Sequence, residues 1–330
     1  MLARRNLRFI APALALITAM FAGCAGSQRV GRTATAPPIT PAAVDESTAI
    51  IDPGSPGAFG VGYIELSVLA SGSQIAAWYP ADVTDAESPA PPSPLATRPQ
   101  AFPVVLLAPG DAGSGKSFTY LAGHLASWGY VVLSTTGPET NAPTAGQRFG
   151  QTWTRLTNSS DATAQLLAAR LRTTKIALVA DSSAAAAPFE EAVGLDVGAI
   201  VILGANPADI AAAASNHIPA MIMSSGRDER GGDPVAMRRL FENAGPAVQP
   251  YLVYFPDGVH DSFVDACLAN CSPVFTQQRA HELVTRYVTA FLQTYVGGDA
   301  RYVRDISGSS KEQAEDEDDP PDVIVTRIGS

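Results

Sequence analysis

The stretch Ile176-Ala-Leu-Val-Ala-Asp-Ser182-Ser183-Ala184-Ala185 decides the fold. It is an apolar run of strand length that breaks into small, helix-forming residues, and the break falls at a serine. A serine at such a break can sit on a tight turn with its hydroxyl held out over the sheet. The turn is usually written G-x-S-x-G, because the positions two before and two after the serine press against neighbouring backbone. Here they are Ala180 and Ala184, the next smallest side chain, so the turn is strained rather than excluded. In an alanine-rich chain the pattern alone is a weak signal, and its weight comes from what surrounds it.

Outward from this strand, short apolar runs alternate with helix-like stretches. The runs are Val61 to Leu69, Gln74 to Tyr79, Val104 to Ala108, Val131 to Ser134, Ile176 to Ala180, Ala199 to Leu203, Ala220 to Ser224 and Tyr251 to Phe255. The last six are mostly continuous rather than alternating, which predicts strands buried on both faces. Phe118 to Trp128, Asp161 to Arg172, Pro234 to Asn243 and Thr276 to Tyr295 repeat their apolar residues at helical spacing. The expected fold class is therefore α/β: a mostly parallel central sheet with helices on both faces, preceded by an antiparallel pair. In such sheets ligands sit at the carboxyl ends of the strands.

Two further candidates follow strand ends. Ser225-Gly-Arg-Asp228 comes after one run and Pro256-Asp-Gly-Val-His260-Asp-Ser-Phe263 after the next. A serine hydroxyl is a poor nucleophile until an imidazole takes its proton, and the imidazole needs a carboxylate to fix its tautomer. Ser182, His260 and Asp228 fill those roles, in the chain order nucleophile, acid, base. Taken singly, Asp228 reads equally well as a capping carboxylate, with Asp233 its nearest rival, and His260 as a surface histidine. His124 and His281 fall inside predicted helices, and His217 lies before a strand, at the wrong end of the sheet.

The body of the chain, from about Phe59 to about Val303, resembles the α/β-hydrolases, in the branch of dienelactone hydrolases, platelet-activating-factor acetylhydrolases and cutinase-like polyesterases. The resemblance is carried by Ile75-Ala-Ala-Trp78-Tyr-Pro80, Phe102 to Gly110, Leu121 to Val132, Ile218 to Asp228, Gly258-Val-His260-Asp-Ser-Phe-Val-Asp265 and Phe291 to Asp299. It implies a serine hydrolase acting on a small-molecule or polymeric carboxylic ester through an acyl-enzyme, without metal or organic cofactor. Ser182, Asp228 and His260 would be catalytic, and the backbone N–H groups of Asp111 and Ser183 would form the oxyanion hole. Asp181 departs from the family, which usually has His or Trp before the nucleophile. Carboxylates at Asp181 and Asp111 would oppose an oxyanion unless both point into water. These departures motivate the alternative of an inactive α/β-hydrolase-fold lipoprotein serving as a binding or scaffold module.

Gly110-Asp-Ala-Gly-Ser-Gly115-Lys116-Ser117 also satisfies the pattern of a phosphate-binding P-loop, after a strand and before a helix. Nucleotide binding through this turn is a third reading. It leaves Trp78-Tyr-Pro80, Asp228 and His260 without a role.

The ends of the chain concern location. Residues 1–23 carry Arg4, Arg5 and Arg8, then an apolar run from Phe9 to Phe21, then Ala22 and Gly23 before Cys24. This reads as an export signal, its apolar run short of the roughly 20 residues of a membrane span. Phe21-Ala-Gly-Cys24 resembles a bacterial lipobox, with Phe where Leu is usual, and implies a diacylglyceryl anchor on Cys24. The expected layout is a Thr/Ala/Pro-rich tether over 24–55, a hydrolase domain over 56–305 and an acidic, solvated tail over 306–330, whose Val323 to Ile328 segment could pack locally. Cys267 and Cys271 remain as an even pair that an oxidising compartment would let bridge, with two reduced thiols on a helix as the alternative. A net charge of −10 argues against a nucleic-acid partner.

Overall fold

A nine-stranded sheet in the order β1-β2-β4-β3-β5-β6-β7-β8-β9 runs through the centre of the molecule. The strands are β1 (Gly60–Leu66), β2 (Gln74–Ala81), β3 (Val104–Ala108), β4 (Val131–Thr136), β5 (Ile176–Asp181), β6 (Val197–Leu203), β7 (Ala220–Ser225), β8 (Tyr251–Phe255) and β9 (Ile324–Arg327). The computed structural model describes residues 50–67, 74–82, 94–98, 100–110, 113–136, 147–191, 194–204, 216–229, 235, 250–268, 270–307 and 323–327, all within one compact unit, Asp45–Ser330. Strands β3 to β8 are mutually parallel, while β1 and β2 pair antiparallel, as do β2 and β4.

The continuous apolar runs are explained by two cores, one on each face of the sheet. Val105 and Leu107 of β3, Ala177 and Val179 of β5, and Ala199, Val201 and Leu203 of β6 point into one core. Their even-numbered neighbours Val104, Leu106, Leu178, Ala180, Ile200 and Ile202 point into the other. A strand clad on both faces has no position at which a polar side chain is cheap. The first core is closed by α1 (Thr119–Ser127), through Leu121 and Leu125, and by α5 (Gln277–Leu292), through Val284, Tyr287, Val288 and Phe291. The second is closed by α2 (Gln147–Thr157), α3 (Ala162–Ala168) and α4 (Ala187–Glu191), through Phe149, Leu156, Ala164, Leu167 and Ala187.

The inversion of β3 and β4 in the sheet order matters most for function. The chain steps outward from β3 to β4 through α1, then returns past β3 to β5 through α2 and α3. Because such crossovers are right-handed, the reversal puts α1 on one face and α2 and α3 on the other. It also leaves a crevice between the carboxyl ends of β3 and β5, where the outgoing loops diverge.

Two features depart from the sequence reading. Helix α2 is not among the expected helices, although it carries Phe149, Thr152, Trp153 and Leu156 toward the second core at helical spacing. The tether does not reach residue 55, because Ile50 packs against the first core and the chain from Pro53 is bonded to the body. His124 Nε2 lies 2.9 Å from Pro53 O, Trp128 Nε1 donates to Ser55 O at 2.9 Å, and Phe59 N donates to Ser127 O at 3.0 Å. The acidic stretch of the tail, residues 308–322, lies outside the described residues, while its apolar end packs as the sequence allowed: β9 pairs antiparallel with β8, from Tyr251↔Arg327 to Tyr254↔Ile324. The predicted helix over Pro234–Asn243 lies, apart from Val235, outside the described residues, as do Cys24, the signal segment and Asp111. Among the described residues no helix is long and apolar enough to cross a membrane.

Deleting residues 323–330 uncovers the β8 edge and removes the contacts of Val323 and Val325 with the first core. A loss of about 2 kcal/mol, read as a fall in Tm of about 4–8 °C for a domain of this size, is expected by calorimetry, with faster aggregation on heating. An unchanged Tm would show that β9 adds nothing to the sheet.

Candidate active site

Ser182 opens a single 3-10 turn, Ser182–Ala184, directly after β5. Its φ is +46°, a left-handed conformation that non-glycine residues seldom adopt. The strained turn expected from the small flanking residues is therefore present. Ala180 is fully enclosed, paired with Ala108 of β3 and Ile202 of β6, and Ala184 is equally buried. The closest backbone approach falls elsewhere, at Gly110 in the loop after β3. A Cβ there would lie 2.1 Å from Asp181 O and 3.0 Å from Ser183 N, so only glycine fits. The β3 loop and the serine turn thus meet across the crevice with Ser183 N at the junction.

His260 begins the 3-10 turn His260–Phe263 after β8, and Asp228 follows β7. The structure brings both to Ser182. His260 Nε2 lies 2.7 Å from Ser182 Oγ, and His260 Nδ1 lies 2.9 Å from Asp228 Oδ2. Both distances fall within the range for proton transfer along a hydrogen bond. With Nδ1–H donating to the carboxylate, Nε2 is left to accept from the serine hydroxyl. Side-chain exposure is 3% for Asp228 and 18% for His260, and Ser182 as a whole is 3% exposed. The carboxylate is shielded while the imidazole edge reaches the surface.

The loops that carry Asp228 and His260 are tied together. Gly226 N donates to Phe255 O at 2.8 Å and Arg227 N to Gly258 O at 2.9 Å, so the Asp228 turn is zipped to the exit of β8. Arg227 and Asp257 add an ion pair. Cys267 and Cys271 form a disulfide in a segment that is not helical, so the alternative of two helical thiols does not hold. The five-residue ring is joined to both loops: Leu268 N donates to Asp261 Oδ2 at 3.1 Å and Asn270 Nδ2 to Glu229 Oε1 at 3.2 Å.

The His260 loop is also fastened to α1 by Asp265, which has no role in the sequence reading. The Asp265 carboxylate accepts from Thr119 N and Tyr120 N, each at 3.0 Å, and Asp265 N donates to Ser117 O at 2.7 Å. It caps the helix from 145 residues away, and no local motif announces such a cap. Tyr120 donates to Phe263 O at 2.9 Å and stacks on His281, with ring centroids 3.7 Å apart. Burial, then Asp265 and Asp181, raise the Tyr120 pKa well above the usual phenol value, so it stays a hydrogen-bond donor.

The other histidines are accounted for structurally. His124 sits in α1, where burial lowers its pKa despite the Pro53 carbonyl, and His281 is held by Val264 O at 2.8 Å. His217 precedes β7, at the end of the sheet away from Ser182.

In the P-loop-like turn, Gly113 N donates to Gly110 O at 3.1 Å, Lys116 N to Ser114 Oγ at 3.3 Å and Ser117 N to Ser114 O at 3.0 Å, so these N–H groups are engaged within the loop. The N–H groups of Thr119 and Tyr120, at the start of α1, already bond the Asp265 carboxylate. Lys116 Nζ is paired with Glu65 Oε1 at 2.5 Å. Elsewhere, an open cavity of about 1150 Å³ is lined by Ser67, Trp153, Arg155, Asn158 and Asp161 among others, but by none of Ser182, Asp228 or His260. Asp111 and Asp233 lie outside the described residues.

Comparison of the chain with protein-family models, and with curated proteins, finds no match, so the serine, histidine and aspartate are identified by their geometry alone.

Proposed function

We propose that this chain is an α/β-hydrolase, exported and lipid-anchored through Cys24, that cleaves carboxylic esters through an acyl-enzyme. The observation that carries the proposal is the continuous hydrogen-bonded path from Ser182 through His260 to Asp228, built on a left-handed serine at the β3/β5 crevice. In this reading Ser182 Oγ attacks the ester carbonyl as His260 Nε2 takes its proton, and Asp228 stabilises the resulting imidazolium. The negative oxygen of the tetrahedral intermediate is met by Ser183 N–H and, from the β3 loop, by Asp111 N–H. His260 then gives the proton to the departing alcohol. Water enters by the same route in reverse, releasing the acid and restoring the serine. The substrate is a small-molecule or polymeric ester, and no metal or organic cofactor is required.

The second reading, a non-catalytic binding or scaffold module, is favoured by the low exposure of Ser182 and by the buried carboxylate of Asp181, 4% exposed. Labelling with a fluorophosphonate, followed by peptide mapping, separates the two. The esterase reading expects Ser182 to be modified, Ser183→Ala to label normally, and Ser182→Ala to lose labelling. Turnover of a short-chain ester should fall by about 10⁴-fold or more in Ser182→Ala and by about 10⁴-fold in Asp228→Asn. Folded wild-type protein that takes no label would favour the scaffold.

Nucleotide binding is tested by calorimetry with ATP and Mg²⁺. Since Asp265 occupies the helix N–H groups and Glu65 the lysine, no micromolar binding is expected in wild type or in Lys116→Ala. Micromolar affinity lost in Lys116→Ala would overturn the ranking.

The proposed location makes a separate prediction. Expressed in a bacterium, the wild-type chain should partition with membranes and into detergent, and Cys24→Ala should lose lipid labelling and membrane retention. Equal partitioning of the two forms would rule out the Cys24 anchor.

A further inference from the structure

Asp181 is a buried carboxylate that the Ser182–His260–Asp228 path leaves unused, directly before the serine. Its backbone and its side chain face opposite sides of the turn. Asp181 O lies 2.1 Å from the Cβ position on Gly110, after β3, whereas Asp181 Oδ1 lies 3.6 Å from the Cβ position on Gly204, after β6. β3 and β6 flank β5 on opposite sides. His260 Cε1 lies 3.6 Å from the same point above Gly204, and Phe263 Cδ2 closes the niche at 3.3 Å. Gly204, at φ +59°, leaves that space open. A carboxylate oxygen and the outer carbon of the imidazole therefore border one methyl-sized niche.

Cε1 lies between the two ring nitrogens, and in the imidazolium the positive charge is spread over all three atoms. An anion on that side lowers the energy of the charged ring. The junction with Ser183 N, where an oxyanion would form, is on the Gly110 side. The carboxylate that the sequence places in opposition to the oxyanion thus lies on the imidazole's side of the turn instead.

We infer that Asp181 is a positioning residue for the general base: it acts through His260, as a second carboxylate that stabilises the protonated ring. The inference rests on the serine-hydrolase reading of the site. The groups placed at His260 include Asp228 on Nδ1, Ser182 on Nε2, and Asp181 with Phe263 near Cε1. Beyond them, Tyr120 of α1 donates to Phe263 O and stacks on His281 of α5. Asp261 is engaged by Leu268 N–H, and Asp265 by Thr119 and Tyr120 N–H.

The test is NMR titration of the His260 Hε1 resonance, one of four histidines and assignable with His260→Gln, alongside the pH profile of kcat/KM. Removing a negative charge lowers the affinity of the ring for its proton. Asp181→Asn should therefore move the His260 titration, and the acid limb of kcat/KM, down by about one pH unit. Asp181→Ser should shift both in the same direction, keeping the test available if the amide variant folds poorly, and Asp181→Glu should retain most of the wild-type value. A His260 titration unchanged in folded Asp181→Asn or Asp181→Ser would overturn the inference. The resonance is read without turnover, so a wild-type chain with no esterase activity and no fluorophosphonate labelling would count against the proposed function, not against the coupling of Asp181 to His260.

Discussion

The close contact between the β3 loop and the β5 turn, with Gly110 against the backbone of Asp181 and Ser183, is the constraint on which the site depends. Two buried parallel strands deliver their ends side by side because the chain has already crossed outward to β4 and back. That reversal opens the crevice, and the absence of a side chain at Gly110 lets the two loops touch across it. The serine turn is then confined between the β3 loop and its own helix, and Ser182 is held at a positive φ. Left-handed backbone at a non-glycine residue costs on the order of 1–2 kcal/mol, and it persists only where the surroundings over-determine it.

Asp228 and His260 come from the other half of the sheet, and their alignment with Ser182 is set by bonds between loops. The Asp228 turn is laced to the β8 exit, the disulfide ring touches both loops, and Asp265 anchors the His260 loop to the first turn of α1. This last bond joins opposite sides of the crevice, because α1 begins in the loop that leaves β3. One carboxylate thereby serves two ends: it satisfies helix N–H groups that no neighbouring side chain caps, and it fixes the distance from the imidazole loop to the β3 loop.

Much of this was legible in the sequence because it is written in local patterns. Strands buried on both faces leave unbroken apolar runs, and all eight expected strands appear within three residues of their expected ends. The three residues that meet at 2.7 and 2.9 Å follow three of those strands, so chain order and strand ends were enough to single them out. What was not legible is what depends on partners distant in the chain. That the apolar end of the tail forms a strand depends on the edge that β8 offers, whereas helix α2 is written in local spacing, at Phe149, Trp153 and Leu156, and no tertiary reason hides it. The cap supplied by Asp265 and the direction taken by Asp181 are likewise tertiary facts. The sequence shows a carboxylate beside the serine, but the side of the turn on which its charge falls depends on β3 and β6 flanking β5.

The strained serine bears on the choice between an enzyme and a scaffold. Three non-glycine residues have positive φ among those described: Lys175, Ser182 and Asn270. Asn270 belongs to a residue type that tolerates the left-handed region, and it sits on the small disulfide ring. Ser182 is of a different kind, because it is buried and glycine would satisfy the same backbone at lower cost. A binding module gains nothing from a hydroxyl in that position. A hydrolase does, since the left-handed bend is what turns Oγ out of the strand and toward His260 Nε2. The strain at Ser182 therefore supports the proposed nucleophilic role.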